Sequence, residues 1–431
     1  MKTMTDLSAP RGVPVFGNFF QINLEKFHLQ LEQWCDELGP IFKIRFGPKE
    51  FVCIADNDSI NEMLRARPTR YRRVRSIEAV TDEMKMKGVF GAEGDEWKMQ
   101  RKVVAQALNS AHINRFFPNL QRTTERLTER WKTAATDERK VDLCRDLMRY
   151  TVDVTTHLAF GIDVNTIGTD GPVVQQHLDK VFPMLHKRIN APFPYWRYFQ
   201  LPADRELERA LSAIEETVNG FILDCRERMR EHPELCTEPT NFLEAIIAAQ
   251  ASESGTNFTD EQIYANVITL LLAGEDTTAN TIAWACKYFI DFPGLFTRAR
   301  DEVDNVLGSD KVITDPTKLK QLPFLEACIN ETMRLKPVGP IFALQANEPV
   351  ELMGYALPAG TAIMGLTRHI AVDPSNFTNP ETFNPDRWLK DHTEAGQVHN
   401  NEAFIPFGSG PRFCPGRNLA LVEIKMVLSM L

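Results

Sequence analysis

The sequence is short of several things that would decide its class early. No apolar run approaches the ~20 residues a membrane-spanning helix needs, and Met1 to Arg11 are too polar for a signal peptide or anchor. The eight cysteines (35, 53, 144, 225, 236, 286, 328 and 414) include no Cys-x-x-Cys pair and follow no regular spacing. That argues against a zinc ribbon or a disulfide framework and for reduced thiols in a cytoplasmic chain. Positive charge is short too. Lys and Arg number 49 against 58 Asp and Glu, a net charge of −9, which argues against nucleic acid or an anionic membrane surface as partner. Internal repeats, low-complexity tracts and linkers are missing, so residues 1–431 are expected to form a single domain. Hydrophobic (43%) and charged (25%) contents are those of an ordinary globular chain, long enough to bury a core around a cofactor.

The pattern along the chain predicts a mainly α fold with small β-sheets near both ends. After an irregular entry, Pro10 to Gly17, a helix is expected over Leu24–Leu38, stopped by Gly39-Pro40. Ile41–Phe46 and Phe51–Ile54 read as a hairpin about Gly47-Pro48. Helical period then dominates to Gln250, with breaks near Gly161–Gly171 and Pro192–Pro202. Thr259 to Gln262 is a capping box opening a helix that runs to Phe292-Pro293, about 32 residues or roughly 48 Å. Its middle, Val267 to Ala273, is apolar all round and should cross the core. The next residues, Ala273 to Thr278, read A-G-E-D-T-T, a polar cluster with a glycine where a buried helix favours neither. Such a violation marks function. Gly274 and Ala273 would admit a flat ligand and dioxygen close to the backbone. Thr277 can hydrogen-bond the oxygen, and Asp276 can join a proton path. The plain alternative is a kink with a threonine back-bond.

A second stretch, Phe407 to Arg417, reads F-G-S-G-P-R-F-C-P-G-R. Cys414 lies between Gly410 and Gly416, with Arg412 two residues before it and an apolar helix-like run, Asn418 to Leu431, after it. The glycines permit turns closed to other residues and close approach of a planar ligand. N–H groups at the following helix start hold negative charge on a thiolate, and Arg412 can grip a carboxylate. Together these suggest a haem with an axial Cys. A lone Cys in such a loop is otherwise a buried free thiol.

The spacing F-x-x-G-x-R-x-C-x-G resembles the haem-binding loop of the cytochrome P-450 family. Other segments agree in type and order: Trp97-x-x-x-Arg101 on one helix face, A-G-x-[DE]-T-[TS] at 273–278, Glu331-x-x-Arg334, and Arg387 in Phe383 to Trp388. The resemblance implies a haem-thiolate monooxygenase that inserts one oxygen atom from O2 into a small apolar substrate. Cys414 is then the axial ligand of the iron in haem b. Trp97, Arg101, Arg412, Phe407, Gly408, Gly416, Ala273 and Gly274 are cofactor-binding, and Thr277 and Asp276 catalytic. Glu331, Arg334 and Arg387 form a structural cluster. Glu206–Arg209 and Glu227–Arg230 also match E-x-x-R, as solvated pairs. Leu270, Ala273, Val338 and Phe342 are expected to line the substrate pocket.

With no flavin or iron–sulfur motif, electrons come from NAD(P)H through a ferredoxin or flavodoxin attracted to Lys98, Lys102 and Arg417. The implied protein is a soluble, bacterial-type cytoplasmic monomer without a membrane anchor. Ile341 to Gln345 lacks the propionate-binding Arg or His of many members. The chain also stops in an apolar helical run, so a missing C-terminal β segment is expected, with Met426, Val427, Leu428 and Met430 lacking packing partners. Two other readings stand beside the monooxygenase: a peroxide-driven peroxygenase, and a non-catalytic haem- or lipid-binding relic.

Overall fold

In the computed structural model, residues 2–169, 173–191, 193–251, 258–308, 310, 312–389 and 398–431 are described; Gly171 and Pro192, which bound two of the expected helix breaks, lie outside them. The chain forms two compact units. One comprises residues 1–78 and 330–414, the other residues 79–329 and 415–431.

The first unit holds the sheets. Ile41–Phe46 (β2) and Lys49–Ile54 (β3) follow the short strand Lys2–Thr3 (β1) and pair antiparallel from Ile41↔Ile54 to Phe46↔Lys49. The turn between them is the expected one, with Gly47 at φ +55°. Tyr71–Arg73 (β4), Phe342–Ala346 (β5) and Ala362–Gly365 (β8) complete a sheet of order β2-β3-β8-β5-β4, while Val350–Leu352 (β6) and Tyr355–Leu357 (β7) join β1 in a second. The sheet is buried on both faces, with Ile41, Val52, Ile54, Leu344 and Ile363 on one side and Phe42, Ile44, Cys53 and Met364 on the other, because side chains alternate along each strand and paired residues share a face. The helix expected from Leu24 starts at Phe27. Asn23 accepts from the Glu25 N–H and winds Leu24–Lys26 into a separate 3-10 turn.

Glu331 is the polar centre of this unit. It is fully buried and accepts five N–H donors: Arg334 Nε and Nη2 at 2.8 Å each, Arg387 Nε and the Asn384 N–H at 3.0 Å, and Trp388 Nε1 at 3.0 Å. Arg334 also donates to Ala371 O and Arg387 to Thr378 O. The expected cluster forms, enlarged by an indole and a backbone amide. Of the two look-alike pairs, one has its Glu206 bound to Lys180 at 2.7 Å on the surface.

The second unit is helical. Its long helix, Asp260–Asp291, has 32 residues and the expected capping box, with Thr259 Oγ1 accepting from the Gln262 N–H. It packs along the helix Leu143–Phe160. At their crossing a Cβ on Gly274 would lie 2.5 Å from Thr155 Cγ2. Thr155 is buried, with its hydroxyl tied to Thr151 O at 2.8 Å, so it has little room to move. Gly274 is therefore a helix-packing residue. Helix packing is a reason for the glycine that the sequence by itself did not offer.

The final helix, Arg417–Leu428, rests against the helices Ser110–Thr136 and Asp260–Asp291. Met426, Val427 and Leu428 are buried, and Thr128 Oγ1 reaches Met430 Sδ at 2.8 Å. The expectation that these four lack packing partners fails, because the two long helices already supply an apolar wall. On the same helix Glu423 is buried, and its Oε2 has no hydrogen-bond partner. Burial alone holds its carboxyl well above the usual carboxylate range.

Two outcomes follow from this packing. Gly274→Ala gains about 1 kcal/mol of helix propensity but overpacks the crossing, which costs about 1–3 kcal/mol. Urea unfolding should show net destabilisation, relieved when Thr155→Ser removes the obstructing methyl; an additive double variant would contradict the contact. For Glu423, the folded state keeps a proton that the unfolded chain releases above its value of about 4.3. Its stability contribution is therefore intact below that pH and is lost at about 1.4 kcal/mol per unit as pH rises toward the folded-state value. Between pH 5 and 8 the parent should lose stability relative to Glu423→Gln, and parallel curves would show that the carboxyl is not held neutral.

Candidate active site

The first unit supplies the cysteine loop. The Gly408 N–H donates to Ile405 O at 3.0 Å, Phe413 N–H to Gly410 O at 3.1 Å, and Cys414 N–H to Phe407 O at 2.8 Å, closing the loop on its own start. Gly408 and Gly410 take φ +72° and +69°, where a side chain is strained. A Cβ on Gly410 would also fall 2.5 Å from Leu64 O, so this glycine seats the loop on the helix Asn57–Arg65. Upstream, the Trp388 ring lies 4.5 Å from that of Phe404, which links the Glu331 cluster to the residues just before Phe407. Phe407, Arg412 and Cys414 are half-buried and Gly408 is exposed. The second unit begins its final helix after Gly416, which has φ −82°. Any residue adopts that conformation, so no backbone strain demands glycine there.

The thiols differ in kind. Burial pushes Cys35 and Cys286 up to about 12 and Cys225 up to about 11, and raises Cys53 well above its ordinary value. These stay protonated and cannot serve as thiolates near neutral pH. Cys328 is buried, while Cys144 and Cys236 lie exposed. Cys414 is half-buried, backbone-fixed and two residues from a guanidinium. A group held by one thiolate and carrying carboxylates fits these residues; among the described residues no His, Cys and acid cluster suited to a bare metal ion occurs.

In the second unit, Trp97 (buried) and Arg101 (half-buried) share the helix Gly94–Ala107. That helix is bonded to the long one by Gln262 Nε2 to Glu96 Oε1 at 3.2 Å and Asn266 Nδ2 to Gln100 Oε1 at 3.0 Å. Asn266 Oδ1 also accepts from the Val89 N–H at 2.8 Å. Sequence reasoning missed Gln100 and Asn266. Asn266 is an amide just before an apolar stretch, and that was the available signal. Along the long helix Ala273, Thr277, Asn280 and Trp284 are exposed, a spacing that places them on one face. Thr277 Oγ1 donates to Ala273 O at 2.8 Å, Asn280 Nδ2 to Asp276 O at 2.8 Å and Thr281 Oγ1 to Thr277 O at 2.9 Å. The back-bond weighed as the plain alternative is present. It occurs on the open face, with Thr278 buried on another side. Asp276 is half-buried, whereas its neighbour Glu275, which the sequence reading passed over, is the buried acid.

The sequence matches the family model for Cytochrome P450 over residues 7–431. It is 26% identical over 439 residues to Protein LUTEIN DEFICIENT 5, chloroplastic, of Arabidopsis thaliana, covering 100% of this chain and 72% of that protein. It is 27% identical over 419 residues to the carotene epsilon-monooxygenase, chloroplastic, of the same plant, covering 93% and 75%. Against the 3,9-dihydroxypterocarpan 6A-monooxygenase of Glycine max the identity is 24% over 437 residues, covering 98% and 85%. With its cysteine loop, its polar break in a long helix and this match over nearly its whole length, the chain belongs to the cytochrome P450 family of haem-thiolate monooxygenases.

Proposed function

We propose that this protein hydroxylates or epoxidises a small apolar substrate with O2, using Cys414 as the thiolate ligand of haem b and Thr277 as the proton-presenting group. The observation that carries the reading is the open face of the long helix, where Ala273 and Thr277 stand exposed directly after the largely buried stretch 263–272. When bound, haem supplies the reductive activation of dioxygen. Arg412 in the loop, with Trp97 and Arg101 on their helix, would answer its propionates.

The chain's own groups do the rest. Cys414 presents sulfur from a loop whose N–H bond to Phe407 O fixes its direction. Thr277 holds its proton on Oγ1, parked on Ala273 O. Rotation about χ1 frees that proton for the reacting oxygen, and the half-buried Asp276 is placed to renew it. The acid–Thr pair favours O2 over peroxide as oxidant. Half-buried Leu270 and exposed Ala273 on the helix, and half-buried Phe342 and exposed Val338 in the other unit, are all apolar, which supports a substrate held by shape and dispersion. Electrons would come from NAD(P)H through a ferredoxin or flavodoxin. Exposed Lys98, Lys102 and Arg417 would attract such an acidic carrier to a cytoplasmic monomer.

A panel of fatty acids, terpenes and steroids, scored by ligand-induced spin-state shift and by product, tests the substrate class; response only to polar compounds would reject it. Cys414→Ala should abolish the red-shifted carbon monoxide band of thiolate-ligated haem, which Cys144→Ser and Cys236→Ser should leave in place. A surviving band in the Cys414 variant would refute the assignment. Thr277→Ala should keep that band and substrate binding while product per reductant consumed falls about tenfold or more and hydrogen peroxide rises. Thr277→Ser should retain most coupling, and Thr278→Ala should change little. Unchanged coupling in Thr277→Ala would remove Thr277 from the mechanism.

A further inference from the structure

The open face of the long helix is bounded at one end, and a buried amide holds the boundary in place. Asn266, Leu270, Ala273 and Thr277 recur at three- and four-residue intervals, so they lie on one side of the helix. Exposure rises along that side. Asn266 is buried, Leu270 half-buried, and Ala273 and Thr277 are exposed. The buried end lies under the segment 87–92, which leads into the helix carrying Trp97 and Arg101.

The cover is tied at several points. Asn266 Oδ1 accepts from the Val89 N–H at 2.8 Å, while its Nδ2 donates to Gln100 Oε1 at 3.0 Å and to Gln262 O at 2.8 Å. Gln100 Nε2 reaches back to Lys87 O at 3.4 Å and to Glu96 Oε1 at 3.3 Å, and Lys87 Nζ meets Glu96 Oε2 at 3.2 Å. Asn266 and Gln100 are buried, so losing a bond there leaves a polar group away from water. Packing leaves no slack either. A Cβ on Gly88 would lie 2.5 Å from both Ala265 O and Thr269 Oγ1, and one on Gly91 would lie 2.9 Å from Thr81 Oγ1. The Gly91 and Ala92 N–H groups both donate to Gly88 O at 2.9 Å, which turns the segment tightly about Val89 and Phe90. Val89 is half-buried and Phe90 48% exposed.

An apolar wall beside a reacting face selects ligands by shape, and close packing makes that selection sensitive to small displacements. We propose that Asn266 is a specificity-positioning residue: its side-chain amide fixes Val89 and Phe90 as the end wall beside Ala273 and Thr277, and so sets how far an apolar ligand can extend along the helix. Asn266 touches no reacting atom and acts through the Val89 N–H. The inference rests on reading that face as the substrate side of haem.

Two measurements on the haem-loaded chain test it. Deuterium uptake of residues 86–92 reads the tie itself. Imidazole and the longer phenylimidazole, each titrated by the shift of the haem Soret band, read the wall. Asn266→Leu keeps the size and removes every bond. It should speed exchange in the segment about tenfold or more and change the ratio of the two dissociation constants about tenfold, with imidazole binding itself little altered. Asn266→Asp keeps an acceptor for the Val89 N–H and should return both readings toward the parent. Gly88→Ala leaves Asn266 intact but pushes the segment off the helix, so it should move the ratio in the same direction and decides the matter if Asn266→Leu loses haem. Thr166→Val breaks a buried bond of 2.6 Å to Asp153 elsewhere in the unit; it should lower the thermal midpoint and leave the ratio alone. A parent-like ratio in whichever of Asn266→Leu and Gly88→Ala retains haem, or an equal change in Thr166→Val, would overturn the inference while the monooxygenase reading stands. No Soret shift with imidazole in the parent would overturn both.

Discussion

One buried carboxylate organises the first unit. Glu331 carries a charge away from water and is tolerable there only because five N–H donors surround it. Removing one partner of such a cluster costs about 3–5 kcal/mol, since it leaves charge unanswered. The donors come from three places: its own helix, the backbone at Asn384, and the turn holding Arg387 and Trp388. Satisfying Glu331 therefore fixes how those segments meet. Trp388 passes the constraint onward, because its indole donates to Glu331 while its ring packs on Phe404, and the cysteine loop opens a few residues later. The cysteine loop's scaffold is an electrostatic demand met by geometry.

The second unit is governed by close packing. The long helix meets Leu143–Phe160 where Gly274 leaves no room for a methyl against Thr155. It is bound to Gly94–Ala107 through Asn266 and Gln100. These contacts hold the buried side of the helix still, so the back-bonded stretch at Thr277 can loosen on its open side without loss of position. Rigidity on one face and spare hydrogen-bonding capacity on the other are what a proton-presenting hydroxyl requires.

Desolvation sorts the sulfurs. Cys35, Cys53, Cys225 and Cys286 are ordinary core residues whose burial keeps them as thiols. Cys414 differs in placement, since a turn-bound loop holds it half-buried. Glu423 shows the opposite case, an acid accepted into the core in its neutral form on the helix that follows the loop.

Local chemistry was legible in the sequence. The capping box at Thr259, the stop before Pro293, the hairpin about Gly47 and the Cys414 loop each depend on residues adjacent in the chain. Short-range hydrogen bonds and φ restrictions act at that range, so pattern alone sufficed. The Glu331–Arg334–Arg387 cluster was also readable, through a spacing shared with relatives, but Trp388 and Asn384 joined it only because the fold brought them near. What remained hidden depends on contacts across the chain. Thr155 behind Gly274, Leu64 behind Gly410, the wall that buries Met426 to Leu428, and the choice of Glu275 over Asp276 as the buried acid are properties of neighbours far away in sequence. Packing and desolvation act between such neighbours, and only the tertiary structure decides which they are.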